Sequence, residues 1–577
     1  MSCEVFCCEI FEVLQILVEG AEGEHLALFF SFLDLEPPLD HHLAGYFEKV
    51  SELLFRRMTV PVMRYVNIGG TKVLKTFLRH IDNYSVMQIV QRLMLPHIPF
   101  SITADPESIN PGETQNYQCN WSYAEETCTL LCSRMLELGN VDVPSHVSDL
   151  LITVLQLSPA DALILTHLCR KECVESIIAA AFVDDADTPS PGELPTPVQC
   201  VSFAAISVLE SVVLRLGESF IPFADENRQV LTIDEQHSAE QVVKDCLDTF
   251  FSALEPYLPK INEQLQNYAT KQPCGTIQGQ TKATYPRLGH RGLQLVKFIE
   301  SLVRLSNPSF DVHLCSSGVI RSATDLIFIF DLNSILHLSI QRIILMIIEG
   351  GPTRRKIQHH LLVECGVLRR IMDRIQAQIK DYSAGLPESA SPTHLIRAPS
   401  MGHLIHVVQA LHHNFQNENF DTSARQEEEE LMGKLSNISL QPGGNFDGEK
   451  DEESQDDDDG AAGGGEKPAG GTDGEETLKG AKQGAEGGTL EAEKKELAAQ
   501  QSLHSILEEG DLLDAWTTFV QDLVQHLETQ AAAVQAEFEA SNNQQAELAM
   551  HALGIQRLQD ATGWSGKVGS QPLSSFS

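Results

Sequence analysis

The residues best suited to chemistry in this chain are its 13 cysteines and 21 histidines. Thiolates and imidazoles bind transition metals, and either can act as a nucleophile or base once a neighbour tunes its pKa. Cys128 with Cys132, and Cys169 with Cys173, are spaced i, i+4 on segments of helical pattern. That spacing presents two thiolates on one face. Zinc sites usually declare four ligands, however, and no matching second pair adjoins either one in sequence. The expectation is therefore core or interface cysteines. His403 and His406 stand i, i+3, whereas His41/His42, His359/His360 and His412/His413 are adjacent pairs. Adjacent helical residues face different ways, so those pairs cannot chelate from one helix. The carboxylates fall mostly on solvated faces and in one acidic stretch. The signatures of phosphate-binding loops, dinucleotide folds, serine-hydrolase elbows and zinc proteases are missing. Nothing in these patterns calls for catalysis, a cofactor or a metal.

The charge balance narrows the partners. The 577 residues carry a formal net charge of −39, and residues 426–510 alone hold 23 acidic against 7 basic side chains. So acidic a chain repels phosphate backbones and anionic lipid, which makes nucleic acid and membrane poor partners and basic protein surfaces better ones. The first residues are apolar, but Glu4, Glu9 and Glu12 are out of place in a signal peptide. The expected compartment is the cytoplasm, with the nucleus as a second possibility, and reduced thiols fit it. The glycosylation-like matches at Asn83, Asn120 and Asn437 are then chance. In the longest apolar stretch, 326–348, Asp331, Asn333, His337, Gln341 and Arg342 argue for a buried helical hairpin rather than a membrane span.

These groups must be positioned by helices. Apolar residues recur at i, i+3, i+4 and i+7 almost everywhere up to about residue 415. Leu43, Tyr46, Phe47, Val50, Leu53 and Leu54 make one such stripe. Val147, Leu150, Leu151, Val154 and Leu155 make another, and Val208, Leu209, Val212, Val213 and Leu216 a third. Val242, Val243, Cys246, Phe250 and Phe251 follow, then Leu361, Leu362, Cys365 and Leu368. No sustained period-2 alternation competes, so a sheet is not expected. Short helices, each with a single stripe, must be covered by their sequential neighbours. The fold class is thus all-α, a degenerate HEAT/armadillo-like solenoid over residues 1–415. Loops are expected at 96–120, 184–197, 271–289 and 382–400. Residues 443–488 hold 14 of the 39 glycines. Residues 426–500 therefore read as an acidic, Gly-rich disordered linker, followed by a C-terminal helical segment over 501–560 and a disordered tail over 561–577. In that last helical segment Leu512, Trp516, Phe519, Val520, Leu523 and Leu527 share a face. Ser454 ahead of Gln455-Asp456-Asp457 suits an acidophilic kinase.

An ordered set of motifs resembles the SAPS-domain family. The set begins with Glu36-Pro37-Pro38-Leu39, Phe47-x-Lys49-Val50, Arg79-His80-Ile81 and Met87 to Leu93. It continues with the helix Gly289 to Asn307, Gly318-Val319-Ile320, Asn333-Ser334-x-Leu336-His337 and Met401-Gly402-His403-Leu404. Leu332 stands where the family has Trp, Ser334 replaces a second Asn, Ser400 replaces Tyr, and Gly292 replaces an Arg that is displaced to Arg291. Cys8-Glu9-Ile10 resembles a Cys-Glu-Leu found well into the domain. The resemblance thus implies a divergent member that is shortened at its N-terminus. It also implies a function, that of a non-catalytic regulatory subunit. Such a subunit binds a phosphatase 6-type serine/threonine phosphatase catalytic subunit, and further adaptors, and directs its substrate choice or localisation. A helical-repeat adaptor in transport or trafficking is the alternative.

Among the motif-matched polar residues, Arg79, His80, Asn333, His337 and His403 are the candidates for partner binding. Arg79 shares a face with Lys72 and Lys75. His337 aligns with Ser334 and Gln341, and His403 with His406. Arg79, His337 and His403 are each expected beside the apolar stripe rather than within it. Ordinary solvated or inter-helix hydrogen-bonding roles would place them there equally well.

Overall fold

A computed structural model of the chain describes residues 2–20, 24–95, 119–122, 124–157, 163–183, 194–218, 233–272, 274–279, 284–385, 399–415, 502–523 and 525. The acidic linker, the tail, most of the C-terminal helical segment beyond 525 and most of the 96–120, 184–197 and 382–400 loops lie outside the described residues. Contacts divide the chain into two units, one of residues 1–411 with 510–577 and one of residues 412–509.

The first unit is all-α, as periodicity requires. It begins with α1 Ser2–Cys7, α2 Phe11–Glu19, α3 Glu24–Phe30, α4 His41–Arg57, α5 Thr59–Gly69, α6 Thr71–Arg79 and α7 Tyr84–Met94. Next come α8 Glu125–Met135, α9 Asp142–Leu157, α10 Leu163–Leu168, α11 Lys171–Ala181, α12 Pro197–Glu218, α13 Ile233–Leu254 and α14 Leu258–Lys271. Then follow α15 Gly289–Arg304, α16 Pro308–Ser317, α17 Val319–Asp325, α18 Ser334–Ile348, α19 Arg355–His359 and α20 Val367–Gly385. Residues 401–415 form α21. Among the described residues, strand structure is confined to an antiparallel ribbon in the 271–289 loop, Thr276–Gln278 against Thr284–Pro286.

Neighbours follow sequence order. α4 packs on α7, α7 on α9, α9 on α12, α12 on α15 and α15 on α18. A second succession runs beside it, with α6 on α8, α8 on α10 and α11, and α11 on α13. Helices this short bury one face each, and stacking on the next repeat-like unit covers it. The stripes on α9, α12 and α15 are buried as their spacing requires: Leu150, Val208, Val213 and Leu295 have no exposed surface. α12 is long and apolar enough to cross a membrane by length and composition, yet 56% of its apolar window is buried inside the protein.

Four details depart from the sequence reading. Leu43 and Tyr46 are each 52% exposed, so the α4 stripe is narrower than its apolar residues; Ala44, Phe47, Val50 and Leu54 form the buried face. Val242 likewise faces out while Cys246 and Phe250 face in. The 326–348 stretch is not a hairpin. Leu326–Phe328 is a 3-10 turn ending α17, and Asn333 then caps a single helix, α18, by accepting from Leu336 N at 3.0 Å. The stripe Leu361, Leu362, Cys365 and Leu368 also crosses a break. A wide π turn over His360–Glu364 closes with Cys365 N on His360 O, and Gly366 at φ +65° turns the chain into α20. Gly can adopt that left-handed conformation without a Cβ clash.

The C-terminal stripe is buried as expected. Leu512, Trp516, Phe519 and Leu523 point inward, and Trp516 is 2% exposed. Within the second unit, α22 (Leu503–Glu509) carries His504, whose ring stacks on Phe415 at 5.5 Å.

Candidate partner-binding surface

The first group of sequence candidates sits where α6 ends. Arg79 is exposed and its guanidinium pairs with the carboxylate of Glu36, which lowers the Glu36 pKa. The neighbouring Lys75 pairs with Glu126 at 3.0 Å. Both ion pairs are solvated and screened by water, so they add little to stability. His80 behaves differently. It has no exposed surface, and its Nε2 lies 2.9 Å from Leu33 O, tying the end of α6 to the turn before Glu36-Pro37-Pro38-Leu39. That motif leads to Asp40, whose side chain caps α4 by accepting from His42 N and Leu43 N. Asn83 caps α7 in the same way and also reaches His41 Nδ1 at 3.3 Å. The motifs here are thus helix entries and the groups that hold them, a local reason for these residue types.

The second group is brought together by α18 and α21. His337 was expected beside the apolar stripe, but it is fully buried, with Nε2 2.8 Å from Phe330 O. The stripe of α18 is wide enough, and α21 close enough, to cover it. Its ring meets that of His403 edge-on, 5.7 Å between centroids. His403 Nδ1 donates to Gln341 Oε1, and Gln341 Nε2 donates to His406 Nδ1 at 2.8 Å. One amide therefore bridges two histidines a turn apart and locks α21 to α18. Burial pushes the His337 pKa down, and burial followed by the nearby His406 pushes His403 down. Both rings favour the neutral form. Asn333 serves α18 as its N-cap and is half-buried.

α18 is also held by a brace that no sequence pattern singles out. Arg354 and Asp311 form a fork-to-fork pair, Nε to Oδ2 and Nη2 to Oδ1, each 2.7 Å. Arg354 Nη1 also reaches Val303 O, Ser306 Oγ and Met346 O at 3.1, 3.2 and 3.2 Å. One guanidinium thereby joins α16 to the ends of α15 and α18. Gln358 Nε2 satisfies the last carbonyls of α18, those of Ile347 and Ile348, both at 3.0 Å. On the other side, Arg370 pairs with Asp325 and lies over the Phe328 ring at 4.3 Å, and Arg374 pairs with Asp331 at 2.9 Å.

So braced, α18 turns one face outward. Leu332, Ile335 and Leu338 succeed one another at i, i+3, i+6 and are 49%, 55% and 38% exposed. Arg342, one turn further on, is exposed and touches Glu300 of α15 at 3.4 Å. An apolar strip with a basic end is a docking surface in chemical terms. The i, i+3 spacing of these three residues was legible in the sequence. What hid the strip was that α18 carries apolar residues on more than one side, so periodicity did not reveal which side stays uncovered.

The braced segment is also the part that matches a known family. Residues 308–438 match the family model described as SIT4 phosphatase-associated protein, SAPS. That stretch is thus similar to the SAPS family, and it contains the later of the motifs, Gly318-Val319-Ile320, Asn333-Ser334-x-Leu336-His337 and Met401-Gly402-His403-Leu404. More widely, it is 21% identical over 440 residues to serine/threonine-protein phosphatase 6 regulatory subunit 3-B of Xenopus laevis, covering 72% of this chain and 46% of that protein. It is 22% identical to regulatory subunit 1 of Mus musculus, with 72% and 46% covered. It is 23% identical over 463 residues to regulatory subunit 2 of Homo sapiens, with 72% and 43% covered. The chain spans somewhat under half the length of the curated relatives it matches. No solved structure matches.

Proposed function

We propose that the chain is a non-catalytic regulatory subunit that binds a phosphatase 6-type serine/threonine phosphatase catalytic subunit and directs its substrate choice or localisation. The observation that carries this reading is the coincidence of the SAPS match, residues 308–438, with the outward apolar strip of α18. Leu332 of that strip stands where the family pattern has Trp. A large aromatic side chain at an exposed position costs solvation unless a partner covers it, and such residues dominate interface energetics. The catalytic subunit is the partner that the relatives' names supply. Of the sequence candidates, Arg79 and the half-buried Asn333 and His403 remain available to a partner. His80 and His337 act through the helices they fix.

The test is capture of a phosphatase 6-type catalytic subunit by the full chain, with Ile335→Asp/Leu338→Asp beside the unchanged protein. Binding that falls at least tenfold in the variant, with an unchanged melting transition, supports the reading. No binding by the unchanged chain would sink it, and equal binding by both would move the contact off α18. The cytoplasmic and nuclear assignment is part of the same proposal and is read by imaging the tagged chain.

A further inference from the structure

The cysteines that seemed unmatched in sequence meet in space. Cys128 and Cys132 lie one turn apart on α8 and are buried, and Cys173, in the first turn of α11, comes across to them. The three Sγ atoms lie within 4.8 Å of one another, with Cys132 and Cys173 at 3.2 Å. A tetrahedral ion with metal–sulfur bonds of about 2.3 Å holds its sulfurs about 3.8 Å apart. The triangle already has that size. A further donor comes from α10: His167, outside that 4.8 Å cluster, has a buried Nδ1 that makes no hydrogen bond. It is close enough to Cys173 to act on that sulfur.

We infer that Cys128, Cys132, Cys173 and His167 form a structural binding site for a thiolate-preferring divalent metal ion of the zinc type, which clamps α8, α10 and α11 together. Three sulfurs and one imidazole are a donor set that suits zinc and excludes calcium or magnesium. The i, i+4 pair supplies two ligands from one rigid helix. The third comes from the start of α11, where unpaired backbone N–H groups favour a thiolate. Consistently, hydrogen bonds from Cys128 and Cys132 hold the Cys173 thiol well below its ordinary pKa, while the Cys132 thiol is raised by its bonds to Cys128 and Cys173 and by burial. The Cys128 thiol is raised too: its bond to Cys132 pulls it down, and its bond to Cys173 and burial outweigh that. Metal binding would displace the thiol protons of Cys128 and Cys132 to solvent. Any proton on the Cys173 thiol leaves with them. Cys169, the other half of its i, i+4 pair, hydrogen-bonds Cys246 on α13 instead and takes no part.

Cobalt(II) titration of the full chain, purified under reducing conditions and stripped with chelator, tests this site. One equivalent of cobalt should give a strong thiolate charge-transfer band with tetrahedral d–d bands, and zinc should displace it. Cys173→Ser should abolish those bands. His167→Gln should shift them and weaken binding at least tenfold, while Cys169→Ser and the triple change of Cys3, Cys7 and Cys8 to Ser should leave them alone. Circular dichroism confirms that each variant remains helical, and Cys128→Ser replaces Cys173→Ser if that one unfolds. Absence of tetrahedral bands in the unchanged chain overturns the inference. So does their persistence in Cys173→Ser, or a Cys132–Cys173 disulfide in chain that takes up no cobalt.

Discussion

Replacing Arg354 by Ala should be among the most destabilising single changes in this chain. The side chains of Arg354 and Asp311 are 1% and 4% exposed. Their two parallel 2.7 Å bonds, together with those from Nη1 to Val303, Ser306 and Met346, supply the arginine with partners on every side. Removing the guanidinium leaves the Asp311 carboxylate in the interior with its counter-charge gone. Breaking a buried pair from one side costs about 3–5 kcal/mol, because the surviving charge has already lost its water. A domain's whole stability is only about 5–15 kcal/mol, so the loss is a large share of it. Asp311→Asn should cost a similar amount, since it strands the guanidinium instead. The combined Arg354→Met/Asp311→Leu variant removes both charges and both desolvation penalties, and should cost less than either single change. Urea titrations followed by helical ellipticity measure all three. The reasoning is refuted if either single variant stays within about 0.5 kcal/mol of the parent, the range of ordinary surface changes. It is equally refuted if the two single losses simply add.

Three further expectations rest on separate contacts. Gly292→Ala should lower stability by about 1 kcal/mol rather than raise it, as Gly→Ala does at an open helix position: the new Cβ would lie 2.6 and 2.8 Å from Leu288 atoms, inside a packed site. Asn307 caps α16 with bonds to Ser309 N and Phe310 N at 3.0 and 3.1 Å, so Asn307→Ala should cost about 1 kcal/mol in a denaturant titration. His337 and His403 have pKa values below those of free histidine, so the unfolded chain binds more protons than the folded one once pH falls below about 6.5. Their contribution is complete above that pH and is lost as pH falls through their folded values. Melting temperature should therefore drop on acidification from pH 7 toward 5, and His403→Gln should flatten part of that slope.

The sequence by itself determined the helical class and the places where helices begin. Apolar spacing follows from 3.6 residues per turn, and an Asn or Asp ahead of a stripe supplies the oxygen that the first N–H groups need. Asp40, Asn83, Asn307 and Asn333 could all be read this way, and Asn307-Pro308 most plainly, since Pro at the first helical position lacks a donor to satisfy. Several of the ordered motifs are caps and helix entries, and the later ones fall within the stretch that matches the SAPS model. The sequence did not tell which polar residues are buried. A histidine that bonds a carbonyl in the core and one that faces water have the same kind of neighbours in sequence, so spacing alone puts His337 beside its stripe rather than in the core. Nor did it pair residues far apart along the chain. Arg354 is 43 residues from Asp311, and Cys173 is 41 from Cys132. Whether such groups touch depends on how each helix is rotated against the next, which many small packing contacts settle jointly. Only the stacking of α8 against α11, of α18 against α21, and of α15, α16 and α18 around one guanidinium decided where the charges, the thiols and the exposed strip would lie.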